Sequence, residues 1–240
     1  MERTTNPIAI LGGSGRTGRP LVRAALASGH TVRALARRPE EFPASDKRLV
    51  VVRGDAREAP AVIELLEGCD RVIVTLGTRK GERPGYEEAM RVLVDAMHAR
   101  RIVRCIVLVG LAVHAPTDRP DARAALTRVF MRLLWRAPME DKQRGADLVM
   151  ASDLDWTLVR SPFIQVGPSL GPLHSSHAPT PGRPVRAADL AVFLLETAAR
   201  HDYSRTAPFV CYSPGVRDAG SAPRLSSSRT APNASGLPSR

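Results

Sequence analysis

The sequence predicts one α/β domain: a doubly wound, mainly parallel sheet of about six to seven strands with helices on both faces. Three observations predict it. Short β-branched runs alternate with longer segments of helical period along most of the 240 residues, the pattern of repeated βαβ units. The strand-like runs are almost wholly apolar, as strands covered on both faces must be. Hydrophobic residues make up 43% and charged residues 25% of the chain, a balance that supports a buried core and excludes wholesale disorder. The domain is expected over 1–212, with 213–240 as an appended tail.

Ile8–Leu11 reads as the first strand and Arg19–Ser28 as the first helix, stopped by Gly29. Thr31–Ala36, Leu49–Arg53 and Arg71–Leu76 read as strands two to four. Before the fourth lies a helix with Val62, Ile63, Leu65 and Leu66 as its buried stripe. Glu87–Arg100 places Met90, Leu93, Val94 and Met97 at helical spacing, and Cys105–Val109 is strand five. Asp121–Arg136 reads as a basic amphipathic helix with Leu126, Val129, Phe130, Leu133 and Leu134 on one face. Pro138 is expected to stop it, and Met139–Met150 to form a second helix. Trp156–Val159 is strand six, 161–184 a Gly, Pro and His-rich loop, Ala187–Ala199 a helix and Phe209–Tyr212 the last strand. Ser, Pro and Gly fill about half of 214–240, too little apolar surface to offset the entropy of ordering.

Composition narrows the function. Aromatic residues are 4% of the chain, too few to stack along a single-stranded nucleic acid. The net charge of +11 rests almost entirely on scattered arginines, with Lys47, Lys80 and Lys142 the only lysines. No compact basic run marks a nucleic-acid site, so neither specific nucleic-acid binding nor a membrane partner is expected. No stretch is long and apolar enough to span a bilayer. The first residues lack the layout of a secretory signal, so a cytoplasmic location is expected. Cys69, Cys105 and Cys211 are too widely spaced for a disulfide framework or a zinc site. His174 and His177 have no third ligand nearby, so no metal is expected. Asp153 and Asp155 read as turn and cap residues at the start of strand six.

The chemistry sits where the first strand ends. Ile8–Leu11 runs into Gly12-Gly13-Ser14-Gly15-Arg16-Thr17-Gly18 and then directly into a helix, a G-x-x-G-x-x-G spacing suited to a dinucleotide. Gly12 permits the tight turn, Gly15 lets the backbone approach a pyrophosphate, and Gly18 lets the helix pack against the strand. Free N–H groups and the positive end of the helix then face the phosphates, with Ser14, Arg16 and Thr17 beside them.

Strand two ends in Leu35-Ala36-Arg37-Arg38. An NAD site usually carries a carboxylate near this point, for the ribose 2′-hydroxyl. A guanidinium pairs instead with a 2′-phosphate, so the reading is NADP(H), with NADPH preferred over NADH. Arg37 is the main contact, and Arg38 or Arg16 assists. After strand three, Asp55 and Ala56 can meet the adenine, although Gly-Asp is also a common turn pair. After strand four, Leu76-Gly77-Thr78-Arg79 is placed to run past the ribose and diphosphate, or to form an ordinary turn.

Together these segments resemble the atypical short-chain dehydrogenase/reductase group with an NAD(P)-binding, NmrA-like Rossmann fold. Within it, the closest resemblance is to the NADPH-dependent flavin and biliverdin-IXβ reductases. It rests on Ile8–Gly18, Val32–Arg37, Val51–Asp55, Val72–Arg79 and Ser152–Pro162, and covers about residues 7–212. It implies a cofactor across the C-terminal strand ends, with a small-molecule acceptor, a flavin or similar conjugated ring, over the nicotinamide. The loops at 110–120 and 163–184 would cover that acceptor.

Three departures stand out. Gly110 occupies the position of the reductases' serine after strand five, and Phe163 that of their histidine after strand six. The Tyr-x-x-x-Lys pair of ordinary short-chain dehydrogenases reads Pro138 and Lys142. Without that tyrosine, carbonyl reduction is disfavoured, whereas hydride transfer to a conjugated ring asks less of the protein. Gly110 and Phe163, counted among the cofactor contacts, are expected to leave an open, partly apolar floor suited to a planar ring. Lys142 would orient the ribose or offset developing negative charge, and His114 is the nearest spare proton donor. The alternative is a non-catalytic NADP sensor that binds a partner protein. A monomer or weak homodimer is expected.

Overall fold

The computed structural model describes residues 6–42, 46–77, 84–116, 118, 136–176 and 183–213. The basic helix expected over 121–136 falls almost wholly outside them, as does the 214–240 segment.

The strands are β1 (Ile8–Leu11), β2 (Val32–Ala36), β3 (Leu49–Arg53), β4 (Arg71–Val74), β5 (Arg104–Gly110), β6 (Asp155–Ser161), β7 (Ile164–Gln165), β8 (Leu173–Ser176), β9 (Val185–Arg186) and β10 (Phe209–Tyr212). The helices are α1 (Gly18–Ala27), α2 (Ala59–Leu65), α3 (Tyr86–Arg100), α4 (Arg136–Ala151) and α5 (Ala187–Ala199). One eight-stranded sheet runs in the order β3-β2-β1-β4-β5-β6-β10-β8, and β7 and β9 form a separate ribbon. All neighbours in the main sheet are parallel except β8, which lies antiparallel on β10. This edge strand takes the sheet one beyond the expected six to seven.

Alternation along each strand splits the core into two layers. Ala9, Leu11, Val72, Val74, Cys105 and Val107 face α2, α3 and α4. Ile8, Ile10, Ile73, Ile106 and Leu108 face α1 and α5. Strand order reverses at β1, whose neighbours are β2 and β4. The chain therefore leaves β1 and β4 toward opposite faces, and a crevice opens beyond their C-terminal ends.

Four expectations need correction. Ile63 is exposed, not part of the α2 stripe; Val62 and Leu65 suffice to face the sheet. Pro138 lies in the first turn of α4, where a proline's missing N–H breaks no helical bond. The segment 161–184 is not simply a loop, because it holds β7 and β8. These strands are too short for a period to show, and their partners β9 and β10 come later in the chain. Asp155 is the first residue of β6 rather than a cap.

Asp155 belongs to a polar cross-link at the N-terminal edge of the sheet. The Arg104 side chain is buried and donates to Asp155 Oδ1 at 3.2 Å and Thr157 Oγ1 at 2.9 Å. It also reaches the carbonyls of Thr197 at 2.7 Å and Arg200 at 2.8 Å. One guanidinium thus ties β5 and β6 to the end of α5. Removing one partner of a buried ion pair strands the others without water. Arg104→Met is expected to lower the unfolding free energy by about 3 kcal/mol, measured by urea denaturation; an unchanged midpoint would contradict this role.

Candidate functional site

The site begins with a steric requirement. Gly12 has φ +84°, and a Cβ there would lie 2.8 Å from the Thr75 carbonyl carbon. Only glycine takes this backbone readily. Thr75 fixes the approach from the other side, with its N–H on Leu11 O at 2.8 Å and its hydroxyl within 3.1 Å of Gly12 O. At Gly18 a Cβ would run into the Gly12 carbonyl and come within 2.7 Å of Gly13 Cα. The start of α1 is thereby pressed directly onto the turn. No side chain caps that start, and its first turn carries no acidic residue, so its positive end is left for an external anion.

A cleft of about 370 Å³ opens from this turn across the strand ends. Gly12, Ser14 and Gly15 form one end, beside Thr75, Leu76 and Gly77. Leu35, Ala36 and Arg37 wall it from β2, and Gly54 to Arg57 from β3. Gly85, Tyr86 and Ala89 close it from α3.

The far end is strongly polar. The Asp55 carboxylate takes the Arg57 Nε at 2.8 Å, its Nη2 at 2.9 Å and its main-chain N–H at 3.0 Å. These bonds, with Arg37 adding its charge, hold Asp55 below the usual carboxylate range. Asp55 is thus an ionised acceptor already bound to Arg57 rather than a free one.

Several expected residues stand apart from the cleft. Arg38 pairs with Glu41 at 2.9 Å. Glu41 also takes Arg19 at 2.7 Å, and Arg19 in turn donates to Ser14 O at 2.9 Å. Arg19 therefore braces the glycine turn against the segment after β2. Arg16 reaches away from the Arg37 end and donates to Ile164 O at 3.0 Å. Thr17 is buried at the start of α1. Gly110 ends β5 beside Ser161, with open space where a Cβ would stand. Phe163 is 74% exposed and does not line the cleft. Thr78 and Arg79 lie outside the described residues.

Lys142 lies behind the Tyr86 wall of the cleft, whereas His114 sits on the loop after β5, outside the cleft lining. The Lys142 ammonium lies 5.3 Å from the ring centroid of Tyr86, and burial lowers its pKa. A lysine–tyrosine contact thus exists, but with a ring from α3 whose hydroxyl is buried and pushed up in pKa. His114 is held through its backbone, which exchanges hydrogen bonds of 2.9 and 3.0 Å with the Gln143 amide. Its Nδ1 lies 3.4 Å from Asp118, whose carboxylate is gripped by the buried Arg160 at 2.6 and 2.7 Å.

Sequence reading missed Arg57, Thr75, Gly85, Tyr86 and Ala89. It also missed Asp141, whose carboxylate takes the N–H groups of Gly85, Tyr86 and Glu87 at 2.9, 2.8 and 3.1 Å. A buried acid from α4 thus caps α3 and sets the cleft wall. Tyr86 alone gave a local signal, as an apolar ring opening an amphipathic helix.

Among the described residues no group of His, Cys, Asp and Glu is arranged to hold a metal. None of the described helices is long and apolar enough to cross a membrane.

Fold and cleft together define a doubly wound protein built to hold a nucleotide. The model of the NAD(P)H-binding family matches residues 12–201, and the chain belongs to that family. It is 23% identical over 152 residues to the uncharacterized protein YwnB of Bacillus subtilis, covering 63% of this chain and 70% of that one. Among solved structures, it is similar to ChuY, an anaerobilin reductase from Escherichia coli O157:H7. The TM-score is 0.72 at 20% identity, over 89% of this chain and all of that one. A short-chain dehydrogenase/reductase from Veillonella parvula, solved in complex with NADP, gives 0.71 at 17% identity, over 88% and 96%.

Asp141→Ala removes the acceptor of three N–H groups at once, that of Tyr86 buried and those of Gly85 and Glu87 partly so. It is expected to cost about 2–3 kcal/mol and to speed amide exchange at residues 85–87. Exchange at the wild-type rate there would contradict the capping role.

Proposed function

We propose that this chain is an NADPH-dependent reductase that passes hydride to a small conjugated acceptor, with a flavin as the specific candidate. The observation that carries the reading is the cleft itself. It joins the glycine turn that leads into an uncapped helix to a far end bearing Arg37 and Arg57, the placement a dinucleotide with an extra phosphate requires. The main-chain N–H groups of the Gly12–Gly18 turn would hold the pyrophosphate, with Ser14 and Gly15 against it. Arg37 would take the 2′-phosphate. Asp55 and Ala56 would meet the adenine, and Leu76 and Gly77 the ribose side.

When bound, NADPH supplies the hydride. The protein's part is to position the reactants and exclude water. Open space at Gly110 leaves room for a planar ring at the end of β5. His114, on the loop after β5, is the candidate proton donor. Lys142 would act through Tyr86, as a charge behind the cleft wall. The reductase named among the structural relatives supports this reading, as does the relative solved with NADP. We further propose that it works in the cytoplasm as a monomer or weak homodimer.

The test is NADPH oxidation with riboflavin or FMN as acceptor, paired with calorimetry. Saturable turnover is expected. Tight NADPH binding without turnover across flavins and quinones would favour a non-catalytic NADP sensor instead. In Arg37→Ala the preference for NADPH over NADH is expected to fall about 10-fold or more, the effect of one charge-assisted phosphate contact. An unchanged ratio of affinities would remove Arg37 from that role.

A further inference from the structure

The segment after β6 is fastened at several points. Phe163 O accepts the Val185 N–H at 2.9 Å, and β7 pairs with β9 in a two-stranded ribbon. The Arg186 guanidinium reaches across the ribbon to Gln165 Oε1 at 3.1 Å. Behind it runs a partly buried polar chain. Arg186 N–H donates to the Tyr212 hydroxyl at 2.8 Å, and that hydroxyl donates to Asp189 at 2.6 Å. Asp189 also takes the Leu170 N–H at 2.9 Å. These bonds lock the ribbon to α5 and β10. On the ribbon, Phe163 and Val166 stay 74% and 75% exposed, and β7 directly follows the C-terminal end of β6.

One attachment comes from elsewhere. Arg16, inside the glycine turn, donates from Nη1 to Ile164 O on β7, 148 residues away. Its guanidinium is therefore engaged by the ribbon rather than by the Arg37 end of the cleft.

We propose that Arg16 is a positioning residue that ties the phosphate turn to the β7–β9 ribbon and so sets where an acceptor rests relative to the cofactor. This rests on the reductase reading for its kinetic consequence, but not for its structural one. The tie uses one donor nitrogen and a main-chain carbonyl that remains when the side chain is cut back. The ribbon keeps its other attachments, so the loss is local. A cation at this place also makes the two ends of the site respond together, because the turn that holds the pyrophosphate carries the side chain that holds the ribbon.

The experiment compares wild type, Arg16→Ala and Arg16→Lys by three readouts. The first is amide hydrogen exchange over residues 163–170 and 183–187 without added nucleotide. Arg16→Ala is expected to exchange about 5- to 10-fold faster there, the effect of losing one hydrogen bond to a charged donor, and Arg16→Lys to recover part of the protection. The second is the calorimetric NADPH affinity, expected to stay within about twofold of wild type in both variants, since the main chain supplies the phosphate contacts. The third is steady-state kinetics with FMN, where KM for FMN is expected to rise about 5-fold while KM for NADPH is unchanged. Unaltered exchange in Arg16→Ala would overturn the proposal, as would a 10-fold loss of NADPH affinity with KM for FMN unchanged. If neither riboflavin nor FMN is reduced by wild type, the reductase reading fails, while the exchange comparison still decides the role of Arg16.

Discussion

At Gly12 the backbone turns away from β1 within van der Waals reach of Thr75, and α1 begins with Gly18 pressed onto that turn. Neither contact leaves space for a side-chain carbon. The first helix therefore starts against the glycine turn at the bottom of the crevice between β1 and β4, with no side chain capping its positive end. Everything proposed for the site depends on this close approach. Displacing α1 would move the positive helix end, the Arg16 tie to β7 and the Arg19 brace to Glu41 together.

Around that point the fold is held by two kinds of interaction. Alternating apolar residues of the central strands fill two layers and supply most of the driving force, at roughly 25 cal/mol for each Å² buried. Direction comes from a few buried charged groups that link elements far apart in sequence. Arg104 joins β5, β6 and α5. Asp141 joins α4 to the start of α3. Arg160 joins β6 to Asp118 and lies 3.7 Å from the centre of the Phe209 ring. The last two bear on the site, because Asp141 sets the wall at Tyr86 and Arg160 holds the loop that carries His114.

Much of this was legible in the residues. Ile8–Leu11, Leu49–Arg53 and Phe209–Tyr212 form strands where their apolar runs end, and α5 has the bounds its period indicates. Gly12, Ser14 and Gly15 line the cleft because a strand running into that glycine spacing leaves the backbone few other paths. Arg37 and Asp55 line it because the C-terminal ends of parallel strands meet there. What could not be read was pairing at a distance. Asp55 looks like a free acceptor until Arg57 folds back onto it. Arg16 looks like a phosphate ligand because its partner at Ile164 lies far along the chain. Phe163, expected as part of an open apolar floor, is exposed beside the short ribbon and outside the cleft lining. Strands of two and four residues show no clear period, so 161–184 reads as a loop until β9 and β10 are in place.

The most direct test of the account follows backbone amide resonances of the isotopically labelled chain during titration with NADPH. The amides of residues 12–18 should shift most and saturably, with further shifts at Arg37, Asp55 and Ala56. Shifts spread over the surface arginines, with residues 12–18 unmoved, would mean that the nucleotide meets only the net positive charge, and that the glycine turn is not its binding site.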